Sequence, residues 1–199
     1  MDTLLHLKRV IEEEASAIQA LLGQINQSYE DAFNLISTCQ GKVVVSGVGK
    51  SGHVGKKIAA SLASTGTPAF FVHSTEGVHG DLGMITKSDV VILISNSGET
   101  KEVLNLIPSL NKIGSKCIAI TSKPDSTLAQ ACDVALTYQY DHEADLLGLA
   151  PTTSSTITLV IGDALAIALS TSKNFSKEDF HLSHPGGSLG QQLSKPKKS

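Results

Sequence analysis

Two short polar stretches of this chain each sit between an apolar run and a helical pattern. The first is Ser95-Asn-Ser-Gly-Glu-Thr100, after Val90-Val-Ile-Leu-Ile94 and before residues 102–113. Where a buried strand gives way to a helix, backbone N–H groups and the positive end of the helix dipole face outward and suit an anion. Ser95, Ser97 and Thr100 add three hydroxyls, Asn96 an amide, and Gly98 allows a close backbone approach. Such a place suits the dianion of a phosphate ester. The competing reading is turn and cap chemistry, with Thr100 simply capping the helix.

The second stretch is Ser46-Gly-Val-Gly-Lys-Ser-Gly-His53, after the strand pattern at 42–45. Gly47, Gly49 and Gly52 match G-x-G-x-x-G, so a dinucleotide site is an alternative, but the acid expected near the end of the next strand is missing: Val72, His73 and Ser74 stand there, and Glu76 falls late. A P-loop is excluded because position 44 is Val, not Gly. The simpler reading makes Gly49 and Ser51 one wall of a small site facing the 95–100 stretch, with Lys50 offering charge to a phosphate or a substrate oxygen. A solvated loop lysine is the other reading of Lys50.

These stretches need a scaffold, and the rest of the chain supplies one. Residues 3–25 place Leu4, Leu7, Ile11, Ala15, Ile18 and Leu22 at helical spacing, predicting a long amphipathic helix. Further helices are expected at 29–39, 51–64, 102–113 and 152–169, a helical turn at 126–131, and a loop or short helix at 73–86. Strands are expected at 42–45, 69–72, 90–94, 116–121 and 134–137. Residues 180–193 are Gly-rich with some helical character. Strands alternating with helices imply right-handed crossovers and an α/β, three-layer sandwich around a five-stranded parallel sheet in the flavodoxin-like order 2-1-3-4-5. In that order the two polar stretches rise from neighbouring strands at the switch point. The 199 residues read as a single domain.

Composition limits the partners. The chain is 41% hydrophobic, 18% charged and carries a net charge of −3, with basic residues scattered except for the tail at 195–198, so nucleic acid is not expected. Arg9 is the only arginine and sits in an expected surface helix, which argues against a bidentate arginine clamp on phosphate. Cys39, Cys117 and Cys132 are odd in number and fit no metal spacing, pointing to a reducing, cytoplasmic compartment; Cys117 and Cys132 are expected in strands. No apolar run approaches about 20 residues, and no membrane span is expected. No H-x-x-x-H pair is present, and neither metal nor cofactor is expected.

Both polar stretches resemble those of the sugar isomerase (SIS) domain, which binds phosphosugars. Four further stretches, Ser64-Thr-Gly-Thr-Pro68, Glu76-Gly-Val-His-Gly-Asp-Leu-Gly83, Gly148-Leu-Ala-Pro-Thr-Thr-Ser-Ser155 and Leu182-Ser-His-Pro-Gly-Gly-Ser-Leu-Gly190, resemble the arabinose-5-phosphate isomerases. The resemblance runs from about residue 5 to 193. Longer members continue into paired CBS domains; this chain resembles a short, SIS-only form. The resemblance implies interconversion of D-ribulose 5-phosphate and D-arabinose 5-phosphate, a sugar that feeds Kdo synthesis for lipopolysaccharide and some capsules, by a homotetramer with shared active sites. A non-catalytic phosphosugar-binding regulatory module, or an isomerase of another phosphosugar, is the alternative.

Aldose–ketose isomerisation moves a proton between C1 and C2 through a cis-enediol, so one base must reach both carbons while another group handles the oxygen protons. By similarity Glu99 and Glu143 both belong to the site. Glu143 is favoured as carbon base, its pKa raised by burial, because Glu99 sits at the phosphate end, where it would orient Lys50 or a hydroxyl. His184 is expected to open the furanose ring and shuttle oxygen protons, since an imidazole pKa of about 6.5 suits both tasks. His79 is expected to be a second pocket histidine that reaches a neighbouring subunit's site.

Overall fold

The strands form because their residues are β-branched or long apolar side chains with both faces to bury. The computed structural model describes residues 2–186; the end of the 182–190 motif and the basic tail lie outside them. Strands β1 (Val43–Gly47), β2 (Ala69–His73), β3 (Val90–Ile94), β4 (Lys116–Thr121) and β5 (Val134–Thr137) pair in parallel in the order β2-β1-β3-β4-β5. Along each strand the side chains alternate between two cores. Val43, Val45, Ile92, Ile94, Ile118, Ile120 and Leu136 face one, where α1 (Thr3–Leu21), α2 (Gln27–Ser37), α3 (Gly49–Ser64) and α8 (Thr153–Ser172) close over them. Val44, Val91, Leu93, Cys117 and Ala119 face the other. That face is covered by α5 (Lys101–Leu104), α6 (Ile107–Ile113) and α7 (Thr127–Ala131). Among the described residues the other α-helices are α4 (Ser74–Gly77) and α9 (Lys177–Ser183). The expected three-layer sandwich and its sheet order are those observed.

Four local expectations need correction. The helix expected over 102–113 is two pieces, α5 and α6, because Pro108 sits in the first turn of α6 and cannot continue a preceding helix. Cys132 lies not in a strand but just beyond α7; Cys117 is in β4. Residues 153–172 form one helix long and apolar enough to cross a bilayer by length and composition, contrary to the sequence count. Half of that stretch is buried inside the fold, where Ile157, Ile161, Leu165 and Leu169 recur along its inner face. Finally, the helix expected over 3–25 ends at Leu21, followed by a 3-10 turn at Leu22–Gln24; its Leu4, Leu7 and Ile11 are 57–68% exposed and face outward, while Ala17 and Leu21 pack inward.

Helix α3 crosses α8 closely at Gly162, where a Cβ would run into the Ile58 side chain. Gly162→Ala should therefore cost about 1–3 kcal/mol, the usual penalty of overpacking. Combined with Ile58→Ala, it should cost less than the sum of the two single changes. Urea unfolding of the three variants tests this, and strict additivity would show that the two side chains do not meet.

Candidate functional site

Loop 95–100 is held rigidly from below. Ser95 is 2% exposed, and its hydroxyl accepts from Gly98 N (3.1 Å) and pairs with Thr100 Oγ1 (2.8 Å). Gly98 has φ +67°, and a Cβ there would collide with Ser126, so glycine is required twice over. The Asn96 carbonyl accepts from Ser122 N (3.0 Å), Ser122 Oγ (2.9 Å) and Thr121 Oγ1 (3.1 Å), and the Gly98 carbonyl from Leu128 N (3.1 Å). The loop's outer edge is free. Ser97 is exposed, accepts only Glu99 N (3.2 Å), and keeps its hydroxyl proton for an incoming acceptor. Among the described residues the N–H groups of Ser97 and Thr100 have no acceptor.

Ser95 and Thr100, expected to bind substrate, thus shape the loop with their hydroxyls. Thr100 is the N-cap of α5 by backbone position, with no side-chain cap bond. Because α5 is one turn long, its dipole is small, and the anion-binding capacity lies in N–H groups and hydroxyls. Glu99 orients neither Lys50 nor a hydroxyl here. Its carboxylate accepts Thr127 N (2.7 Å) at the start of α7.

Beside this loop, across the β1–β3 pairing, stands the N-terminus of α3. Gly49 takes φ +57°, and Gly52 N returns to Val48 O (3.0 Å). No side chain caps this helix and no acid lies in its first turn, so its donors face outward uncompensated. Ser51 is half-buried there, and exposed Lys50 makes no hydrogen bond or ion pair among the described residues.

Glu143 is 8% exposed and meets five donors. Oε1 accepts Tyr140 OH (3.0 Å) and Ser154 Oγ; Oε2 accepts Thr152 N (2.8 Å), Thr152 Oγ1 (3.2 Å) and Ser154 N (3.1 Å). It is the anion at the N-terminus of the 20-residue α8. Burial pushes its pKa up, but the bonds from Ser154, Thr152 and Tyr140 outweigh burial and hold it below the ordinary carboxylate value. The expected upward shift is therefore reversed.

A chain of hydroxyls joins Glu143 to the loop. Tyr140 OH accepts Asn96 Nδ2 (2.9 Å), and Asn96 Oδ1 accepts Tyr138 OH (2.9 Å). The Asn96 side chain, expected on the substrate, is committed to these two tyrosines. Burial raises the pKa of both, keeping them protonated donors. The lone Arg9 holds the same segment from α1, donating from Nη1 to Glu13 (2.6 Å) and from Nη2 to the Ala144 carbonyl (2.9 Å). Sequence reasoning missed Tyr138 and Tyr140, and singled out the 148–155 stretch without giving Thr152 or Ser154 a role. The alternation of Tyr138 and Tyr140 just past β5, at the same sheet end as the other loops, was the available signal.

The two histidines are not joined to these groups. His184 follows α9, stacks on Phe180 (centroids 4.0 Å apart) and places Nδ1 3.0 Å from the Phe180 carbonyl oxygen. His79 is exposed in the turn after α4. Two surface depressions, one at Lys42, Pro68 and Phe70, the other at Asp31, Lys116 and Val134, lie at the opposite, N-terminal ends of the strands. Among the described residues no three His, Cys, Asp or Glu side chains converge as metal ligands.

Comparison with known proteins places this geometry. The SIS domain family matches residues 36–168. The arabinose 5-phosphate isomerase KdsD of Pseudomonas aeruginosa is 52% identical over 97% of this chain and 59% of its own length. That of Escherichia coli K12 is 54% identical over 94% of this chain and 57% of its own. The chain thus spans under two thirds of the length of these relatives. The structure of E. coli CFT073 c3406 in complex with arabinose 5-phosphate superposes with a TM-score of 0.90 at 50% identity, covering 93% of this chain and all of that one. The chain belongs to the SIS domain family.

Proposed function

We propose that this chain is an aldose–ketose isomerase that interconverts D-ribulose 5-phosphate and D-arabinose 5-phosphate through a cis-enediol, supplying the sugar for Kdo synthesis. The observation that carries the reading is its likeness to c3406 in complex with arabinose 5-phosphate, at 50% identity across the whole of that chain. The phosphate rests on Ser97, the free N–H groups of loop 95–100 and the uncapped N-terminus of α3 at Gly49 and Ser51, with Lys50 supplying a cation. Glu143 carries the proton between C1 and C2. A depressed pKa keeps it ionised, as a proton acceptor must be, and a hydroxyl donor must swing away when it acts. His184 opens the furanose ring, and His79 completes the pocket.

The assembly is a cytoplasmic homotetramer with shared sites. Three observations support this: the outward apolar stripe of α1, the exposed Leu146, Leu147 and Leu149, and the separation of both histidines from Glu143. All three cysteines are free, as suits a reducing compartment. The decisive assay incubates the protein with D-ribulose 5-phosphate and measures arabinose 5-phosphate. Thermal stabilisation by the sugar phosphate without turnover would instead identify a phosphosugar-binding regulatory module.

Ser97→Ala removes a hydrogen bond to a charged ligand, worth about 1.5–3 kcal/mol. The phosphate is held alike in ground and transition states, so KM should rise while kcat holds. A lower kcat at unchanged KM would contradict the role.

Glu143→Gln should lower kcat by about 10²–10⁴-fold, the usual worth of a positioned base. The substitution also puts an NH2 group among donors, so it destabilises at neutral pH. A depressed folded-state pKa contributes stability that is present above the unfolded carboxyl value and lost as pH falls through the folded one. The melting-temperature gap between wild type and Glu143→Gln should accordingly close on acidification below the ordinary glutamate range. A gap that stays constant would mean the buried carboxylate is not held ionised.

A further inference from the structure

The isomerase reading assigns no task to Tyr140, yet among the described residues its hydroxyl is the one side-chain group bonded both to loop 95–100 and to Glu143. Asn96 Nδ2 donates to it at 2.9 Å, and it donates onward to Glu143 Oε1 at 3.0 Å. The amide orientation is set from the Glu143 end: Tyr140 spends its proton on the carboxylate and so accepts from Asn96 Nδ2, which leaves Oδ1 to accept Tyr138 OH at 2.9 Å. Direction is therefore fixed along the chain: Tyr138 to Asn96, Asn96 to Tyr140, Tyr140 to Glu143. The Asn96 backbone is in turn anchored to Thr121 and Ser122 at the end of β4. A ligand that moves the loop must move the Asn96 amide or break this chain.

Resting on the isomerase reading, we propose that Tyr140 is a positioning residue, whose hydroxyl transmits the position of the phosphate-binding loop through Asn96 to the Glu143 carboxylate. Tyr140 itself is half-buried beside β5, and its partners come from separate parts of the fold. Four of the five bonds to Glu143 come from Thr152 and Ser154, at the start of α8. Those bonds come from the helix start itself, which the loop meets only indirectly, through Tyr138 at 3.3 Å from Thr158 Oγ1. The Tyr140 bond is the one whose donor is also tied to the loop, so substrate occupancy reaches the carboxylate through it. The titratable and charged groups around Glu143 are Tyr138 and Tyr140 beyond β5, His142 and Asp145 in its own segment, and Arg9 and Glu13 from α1.

The test compares Tyr140→Phe with Tyr29→Phe in the full chain. Tyr29 OH reaches the Thr137 carbonyl at 3.3 Å and touches neither Asn96 nor Glu143. Tyr140→Phe should lower kcat by about tenfold or more, the worth of one hydrogen bond to a charged group, with KM changed much less. The acid limb of its kcat/KM profile should move to higher pH, since the carboxylate loses a donor. Tyr29→Phe should lower the melting temperature only. A Tyr140→Phe protein that loses stability but keeps the wild-type kcat and acid limb overturns the proposal. A second readout needs no turnover: 13C NMR titration of the glutamate carboxyls with and without inorganic phosphate. The phosphate-induced shift of the Glu143 titration should be larger in wild type than in Tyr140→Phe; equal shifts overturn the coupling. A wild type that converts no sugar while this difference is observed would sink the isomerase reading and leave the coupling standing.

Discussion

One buried carboxylate closes the site end of this fold. Glu143 fills the N-terminus of α8 and joins Thr152 and Ser154 to the segment that follows β5. Through Tyr140 it is also joined to the loop after β3. Remove its charge and three parts of the chain lose their common partner. A buried anion without such donors would be costly, and it is tolerated because the helix start and the hydroxyl-bearing residues replace water completely. The same arrangement divides the helix N-termini by task. That of α8 is filled by the protein's own anion, whereas that of α3, with no cap and no acid, is open to an anion from solution.

What the sequence made legible follows from which forces act locally. The limits of β3, β4 and β5 could be read directly: β3 is an unbroken apolar run buried on both faces, and β4 and β5 are short apolar runs set off by polar residues. The loop at 95–100 was equally legible, since its glycine and hydroxyls serve the turn itself. Expectations failed where a long-range partner decides. Burial does raise a carboxyl pKa, as expected for Glu143, but four of the five opposing donors lie 9 and 11 residues away, at the start of α8. The nearest neighbours of Glu99 do not reveal its partner, which is Thr127, 28 residues on. The Asn96 amide has the look of a ligand group because nothing nearby competes for it; its two tyrosines are more than 40 residues distant. The break at Pro108 is the exception, a local signal that the apolar periodicity on either side of it masks.

The scarcity of arginine gives the anion site its character. The lone guanidinium grips the Ala144 carbonyl and Glu13, away from the loop that would hold phosphate. Phosphate recognition at 95–100, as proposed, would therefore depend on oriented N–H groups and a hydroxyl, with Lys50 as a flexible charge. Such a cradle discriminates by shape, so its rigidity matters more than its charge. Ser95, Thr100, Ser122 and Thr121 supply that rigidity by tying the loop to itself and to the end of β4.

Helix α1 has two working sides. Its inner side holds the Glu143 segment through Arg9, and Glu14 accepts Thr156 Oγ1 at 2.8 Å on α8. Its outer side leaves Leu4, Leu7 and Ile11 in solvent. Whatever covers those side chains presses on the helix that holds the segment carrying Glu143. Under the proposed isomerase reading, specific activity would then depend on how concentrated the protein is, falling on dilution even while every chain stays folded.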